Sequence, residues 1–149
     1  MIRHASMKDA VQVARLLERS LRLGVEEGFS IDRQKLLTHV RETISSANGF
    51  ARIVEQDGEI LGCFMAEMTP HAYCKGNVIN ELGVYLDPSI RGGRTFINLL
   101  EEFTAWSDIM PDILITGFTI GQLSATTPYV RRMLDRAGYT KGSEGYYKL

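Results

Sequence analysis

The sequence predicts an α/β domain of the α+β kind, a mixed sheet with helices on both faces, and three observations predict it. The chain has 149 residues, 44% hydrophobic and 23% charged, a single domain's length that can bury roughly two-thirds of the surface an unfolded chain exposes. Its periodic segments run strand, helix, helix, strand, strand, strand, helix, strand, helix, strand. Three consecutive strands between helices do not fit a doubly wound sheet, in which strands and helices alternate. No repeat, low-complexity tract or Pro/Gly/Ser-rich linker is present, so residues 1–149 read as one domain.

Ile2 to Ala5 reads as a short strand. Ser6 is a favourable N-cap, and Asp9 three positions later completes a capping-box pattern. Ala10, Val13, Ala14, Leu17 and Leu21 follow at helical spacing, which predicts a first helix over Met7 to Leu23. Gly24 and Gly28 mark a loop. Leu36, Leu37, Val40 and Ile44 form the stripe of a second helix, Asp32 to Ser45, and Asn48-Gly49 is a break. A strand from Phe50 to Glu55 enters Gln56-Asp57-Gly58-Glu59, a hairpin turn with Asp-Gly at its centre, and returns from Ile60 to Met68.

Pro70 to Gly76 is a loop. Asn77 to Leu86 alternates, which assigns Leu82, Val84 and Leu86 to one face and Glu81, Gly83 and Tyr85 to the other. Asp87-Pro88 ends this strand. A helix from Gly92 to Ile109 carries Phe96, Leu99, Leu100, Phe103 and Trp106 on one stripe and stops at Pro111. Ile113 to Ile120 is an apolar, β-rich run and predicts a buried strand. Thr127 reads as an N-cap with Pro128 at the first helical position. That helix continues through Val130, Met133, Leu134 and Ala137, and Gly138 closes it. Tyr139 to Leu149 predicts two short strands around Gly142 to Gly145.

Charge and composition narrow the partners. Lys plus Arg is 17 against 18 Asp plus Glu, a net charge of −1. A dedicated nucleic-acid binder carries a basic excess, so no nucleic acid is expected. No apolar run approaches the roughly 18 residues that span a bilayer, so no membrane is expected either. The opening MIRHASMKDA lacks an export signal's apolar core, which predicts a cytoplasmic protein with Cys63 and Cys74 as reduced thiols. His71 and Cys74 stand three apart, but a structural zinc takes four ligands and His4 and His39 lie far away in sequence, so no metal is expected.

The segment richest in chemistry runs from Glu81 to Arg94, where a strand ends, two arginines and two glycines follow, and a helix begins. A helix N-terminus offers unpaired N–H groups and the positive end of its dipole. Glycines admit a phosphate close to the backbone and arginines complement its charge. Arg91, Gly92, Gly93, Arg94 and Thr95 therefore read as a pyrophosphate cradle. On these residues alone, a turn with solvated arginines is the alternative.

Nearly the whole chain resembles the GCN5-related N-acetyltransferases, the GNAT family. The opening Ile2-Arg3-His4-Ala5-Ser6 and the helix after it are similar to that family's first strand and helix. Val84-Tyr85-Leu86-Asp87-Pro88-Ser89-Ile90-Arg91-Gly92 is similar to its fourth strand and the entry to its cofactor loop. Leu134-Asp135-Arg136-Ala137-Gly138-Tyr139 is similar to its closing helix end and Gly-aromatic step.

The resemblance implies a largely antiparallel sheet whose fourth and fifth strands splay apart. It also implies acetyl-CoA as co-substrate, with no metal, and direct attack of an amine on the thioester. The pantetheine arm would pair with the backbone of Val84, Tyr85 and Leu86, and the pyrophosphate would meet the Arg91 to Thr95 amides. Thr127, at the start of the last helix, joins the cofactor-facing set. A small-molecule or peptide amine is the implied acceptor, with the loop from Gly24 to Ser30, including Glu26 and Glu27, capping its pocket. Homodimers are common in that family, so a homodimer is an expectation here.

Glu81 is the implied base, directly or through water, with Glu67 and His71 as lesser candidates. The family often places a tyrosine acid four residues before the glycine of the Gly-aromatic step, and here that position is Leu134. Tyr129 is the nearest phenol on that helix and takes the second catalytic place. Tyr85, Tyr73, Ser124, Thr127 and water are the other donors. A thiolate leaves readily, because thiols have pKa values near 8.5. Arg94 and Phe96 occupy positions where the family loop carries small residues. A non-catalytic binding protein of the same fold is thus the alternative reading. Arg131, Arg132 and Arg136 could meet cofactor phosphates, or form a solvated helix face.

Overall fold

The first strand and helix are joined by a carboxylate. Asp9 is 7% exposed, and a buried charge needs partners. The Ser6 backbone N–H and hydroxyl each donate to it at 2.7 Å. Arg3 donates to the same carboxylate twice, at 2.9 and 3.1 Å. This fixes β1 (Ile2–His4) against α1 (Ala10–Leu21), with a 3₁₀ turn at Met7–Asp9 between them. The computed structural model describes residues 1–22, 29–117 and 127–142. The glycines predicted to mark the loop after α1 lie outside the described residues.

α2 (Arg33–Ser45) begins at an Asp32 N-cap whose carboxylate accepts the Lys35 N–H at 2.9 Å. Glu18 of α1 pairs with both Arg22 and Arg33, and these guanidinium hydrogen bonds lower its pKa to about 2. The two helices are thereby cross-linked at the end that borders the site described below. β2 (Gly49–Gln56) and β3 (Glu59–Pro70) are joined by a two-residue turn. Asp57 and Gly58 both have positive φ, 51° and 80°, as the predicted Asp-Gly hairpin requires.

β4 (Asn77–Leu86) has the predicted bounds. Asp87 then caps a short 3₁₀ turn, accepting the Ser89 N–H at 3.0 Å and its hydroxyl at 2.7 Å. α3 (Thr95–Ile109) starts three residues later than the apolar stripe predicts. The reason is Gly92, whose φ of +83° is left-handed and cannot continue a right-handed helix. β5 (Ile113–Gly117) follows, and α4 (Thr127–Arg136) already includes Thr127 in the helix rather than as its cap. Gly138 ends α4 at φ +87°, with its N–H on the Asp135 carbonyl and the Tyr139 N–H on that of Leu134. This is the paired hydrogen-bond closure that the sequence predicts from Gly138. Residues 139–142 are not in a strand, and the rest of the two predicted terminal strands lies outside the described residues.

The sheet runs β1-β2-β3-β4-β5, antiparallel except for the parallel pair β4 and β5. α1 and α2 pack on one face around Val13, Val40, Ile53, Cys63 and Met65. α3 and α4 pack on the other around Phe50, Phe64, Leu99, Phe103 and Leu134. Phe50, Phe64 and Phe103 form an aromatic cluster with centroids 4.7–5.5 Å apart, an arrangement that adds to simple area burial.

Two expectations need correction. β4 does not alternate throughout: Met65 pairs with Gly83 but Ala66 pairs with Glu81, so Leu82 is an extra residue, a β-bulge. Leu82 packs with the α1–α2 core, whereas Val84 and Leu86 pack with the α3–α4 core. Glu81 is consequently on the face opposite Gly83 and Tyr85, not on theirs. The apolar run at Ile113 does not make a fully buried strand either: Leu114 is 48% exposed and Ile115 61%.

Candidate active site at the open edge of the fourth strand

The ladder between β4 and β5 covers only Asn77 to Asn80. Among the described residues, no strand pairs with β4 beyond that point on the side away from β3. The carbonyls of Val84 and Leu86 turn toward this open edge, where side chains reach them. The Ser20 hydroxyl donates to the Val84 carbonyl at 3.0 Å, and Arg91 Nε donates to the Leu86 carbonyl at 2.7 Å. The Arg91 guanidinium carbon also lies 5.8 Å from the centroid of the Tyr85 ring, a cation–π distance. β4 thus offers main-chain acceptors to whatever lies alongside it, held for now by side chains.

The edge leads directly into the glycine turn before α3. Arg91, Gly92, Gly93 and Arg94 are all exposed. A Cβ built on Gly92 or Gly93 meets nothing within 4 Å, so the surroundings of both backbones are open. Thr95 is the first residue of α3 and also borders a groove between α3 and the β1–β2 edge, so its part in the turn is its backbone N–H. The Tyr129 hydroxyl, from α4, donates to the Gly93 carbonyl at 3.2 Å. Five of the residues predicted from sequence therefore form one junction, and Tyr129 joins it from the loop side. Thr127 stands in the first turn of α4; its side chain lies outside the described residues.

Two departures from the family pattern find a packing explanation. Phe96 is 7% exposed and packs in the α3–α4 core. Leu134 is 6% exposed in the same core. Arg131, Arg132 and Arg136 are exposed on the outer face of α4.

On the other face, behind the bulge, α1 and α2 leave a pocket of about 90 Å³. Gly83 and Leu82 floor it. Gly83 is required by close approach: a Cβ there would stand 2.6 Å from Leu17 Cδ2. The wall is apolar except for Ser20 and His39. Ser20 belongs to both places, lining the pocket and bonding the Val84 carbonyl at the open edge. His39 Nε2 is 3.9 Å from the Glu67 carboxylate on β3. Glu81 is half-buried and paired opposite Ala66, on the α3–α4 face of the strand.

Sequence reasoning did not single out Ser20 or His39. Each is a polar residue at the border of an apolar stripe, one turn after Leu17 and Leu36 respectively, which is the only signal the sequence carries. His71, a lesser candidate, is engaged differently: its Nδ1 accepts the N–H groups of Tyr73 and Cys74 at 3.1 and 3.0 Å. The His71–Cys74 spacing is thus that of a ring capping its own loop. Among the described residues, no three potential metal ligands cluster.

No protein-family model matches the sequence, and no curated protein matches it. Solved structures match its fold along the whole chain. One is described as a predicted acetyltransferase with acetyl-CoA from Clostridium acetobutylicum, 16% identical, with a TM-score of 0.72 over 100% of this chain and 94% of that one. Another is AAC(6′)-Iy in complex with the bisubstrate analogue CoA-S-monomethyl-acetylneamine, 14% identical, TM-score 0.71, covering 100% and 96%. A third is described as a transcriptional regulator from Bacillus halodurans, 16% identical, TM-score 0.73, covering 100% and 98%. The chain has the GNAT fold: a largely antiparallel five-stranded sheet with a parallel β4–β5 pair and helices on both faces.

Proposed function

We propose that the chain is an acetyl-CoA-dependent N-acetyltransferase that moves an acetyl group to a primary amine by direct attack. The observation that carries this is the continuity of one surface: the open β4 edge, with outward carbonyls at Val84 and Leu86, runs into the exposed glycine turn at the N-terminus of α3. Such an edge suits a pantetheine arm's amides, and the turn suits a pyrophosphate. The burial of Phe96 in the core supports this reading.

In this reading Arg91 leaves the Leu86 carbonyl when the cofactor arrives, and its guanidinium is then free to meet a phosphate. A β4 backbone N–H at the bulge holds the thioester oxygen as negative charge develops on it. The pocket behind the bulge receives the amine. Ser20 spans the strand between the two compartments. Glu81 is one residue before the bulge, on the other face, so as a base it would act through water around the strand edge. The departing thiolate needs no obligatory acid, given the pKa of a thiol.

The test is calorimetry with acetyl-CoA on the native chain and on Gly92→Val. A β-branched residue is strained at φ +83°, and its branched side chain would crowd the approach to the turn. Saturable binding by the native chain, weakened at least about tenfold in the variant, supports the site. Absence of binding by the native chain favours a non-catalytic protein of the same fold.

A further inference from the structure

We propose that the pocket behind the bulge selects a primary amine on a short aliphatic stem, and that His39, beside Glu67, takes the proton from that amine. This rests on the acetyl-transfer reading above and names the acceptor class and base for the same site.

The lining states the chemistry. Leu17, Leu21, Leu36, Val40, Met65 and Leu82 present only hydrocarbon and thioether surface, and among the described residues no carboxylate lines the pocket. A polyamine or amino sugar would leave charged or hydroxyl groups unpaired against these walls, at a cost of about 1–3 kcal/mol for each buried group. The pocket, at about 90 Å³, is smaller than the roughly 150 Å³ apolar cavity that admits benzene. An unbranched or singly branched alkyl stem fills it; an aromatic ring does not.

Among the described residues, its titratable lining group is the His39 imidazole. The Glu67 carboxylate approaches one ring nitrogen from β3, at 3.9 Å. Glu81 does not share this face. The balance is simple. An alkylammonium gives one proton to an imidazole nitrogen of His39, which passes it to solvent. The freed nitrogen lone pair forms the C–N bond to the acetyl carbon, and the C–S bond breaks. The second nitrogen proton goes to the departing thiolate, leaving amide and free coenzyme A.

The experiment follows thiol release from acetyl-CoA with isoamylamine, phenethylamine, spermidine and kanamycin as probes, on native protein, His39→Ala and Glu81→Gln, with binding and folding checked by calorimetry and thermal melting. The expected result is isoamylamine as the best substrate, with His39→Ala folded, binding acetyl-CoA normally and slowed about 10²-fold or more in kcat. Added imidazole should restore part of the lost rate, which a structural role would not allow. If acetyl-CoA binds but spermidine or kanamycin outperforms isoamylamine, the acceptor class is wrong while the acetyl-transfer reading stands. If His39→Ala keeps its kcat within about threefold and Glu81→Gln does not, His39 is not the base. If acetyl-CoA does not bind at all, the acetyl-transfer reading fails, and this proposal with it.

Discussion

Two cysteines with the same side chain have opposite surroundings. Cys63 is fully buried on β3, and burial pushes its thiol up to about 12; Cys74 is exposed in the loop after β3. Only a thiolate reacts with an aromatic disulfide reagent. Native protein should therefore react with one equivalent of such a reagent at pH 8, and unfolded protein with two. A second fast equivalent in the native state would show that Cys63 is not sealed in the core. Asp9 makes the complementary case for a charge. Its hydrogen bond from Arg3 holds its carboxyl well below the usual carboxylate range. A depressed folded-state pKa means that the unfolded chain binds the proton more readily, so the stabilisation is complete above the unfolded value near 4 and is lost as pH falls below it. Asp9→Asn should cost about 1.5–3 kcal/mol at pH 7, the worth of hydrogen bonds to a charged group. Denaturant titrations should find the gap to the native protein constant from pH 7 to 5 and narrowing below about pH 4. A gap that stays constant to pH 3 would mean that the Arg3 clamp contributes nothing through charge.

Helices and strands were legible in the sequence where local chemistry decides them. The Ser6–Asp9 pair, the Asp57-Gly58 turn and the Gly138 closure each act within a few residues, and each stands where its spacing predicts. The bulge was not legible, because strict alternation from Asn77 to Leu86 is a consistent pattern on its own and only the β3 partner reveals the extra residue. The glycine turn was legible through its composition. The pocket behind the bulge was not, since Ser20 and His39 come together only when α1 and α2 pack over that bulge. Tyr129 shows the same limit within a single element. Helical spacing says that it cannot replace a residue at position 134, and the structure puts its hydroxyl on the Gly93 carbonyl. As a tether between α4 and the glycine turn it is worth roughly 0.5–1.5 kcal/mol. Tyr129→Phe should therefore weaken acetyl-CoA binding by no more than about tenfold and leave kcat within a few-fold. A loss of 10²-fold or more in kcat with binding intact is the size expected of a general acid, and would show that the hydroxyl leaves Gly93 to reach the sulfur.

At the scale of the molecule, β4 is where the two cores meet. Its Leu82 and Tyr85 belong to the core under α1 and α2, its Val84 and Leu86 to the core under α3 and α4. The side-chain hydrogen bonds on its open edge come from α1, through Ser20, and from the turn before α3, through Arg91. A ligand lying along that edge and over the glycine turn would contact elements from both halves, and unfolding either half would destroy its site. Ligand binding then stabilises the whole domain by mass action. At 100 times its dissociation constant, acetyl-CoA should add about 2.7 kcal/mol. For a chain of 149 residues, that is a rise of roughly 5–10 °C in Tm, at 2–4 °C per kcal/mol. The rise should grow with the logarithm of acetyl-CoA concentration and keep a single cooperative transition. Free 3′-phosphoadenosine 5′-diphosphate, which keeps the pyrophosphate but lacks the pantetheine arm, should give a smaller rise, because it cannot reach the Val84 and Leu86 carbonyls. An equal rise with both ligands would place all the binding in the phosphate turn and leave the β4 edge without a role. A melt that splits into two transitions on adding acetyl-CoA would show that only one half of the domain holds it.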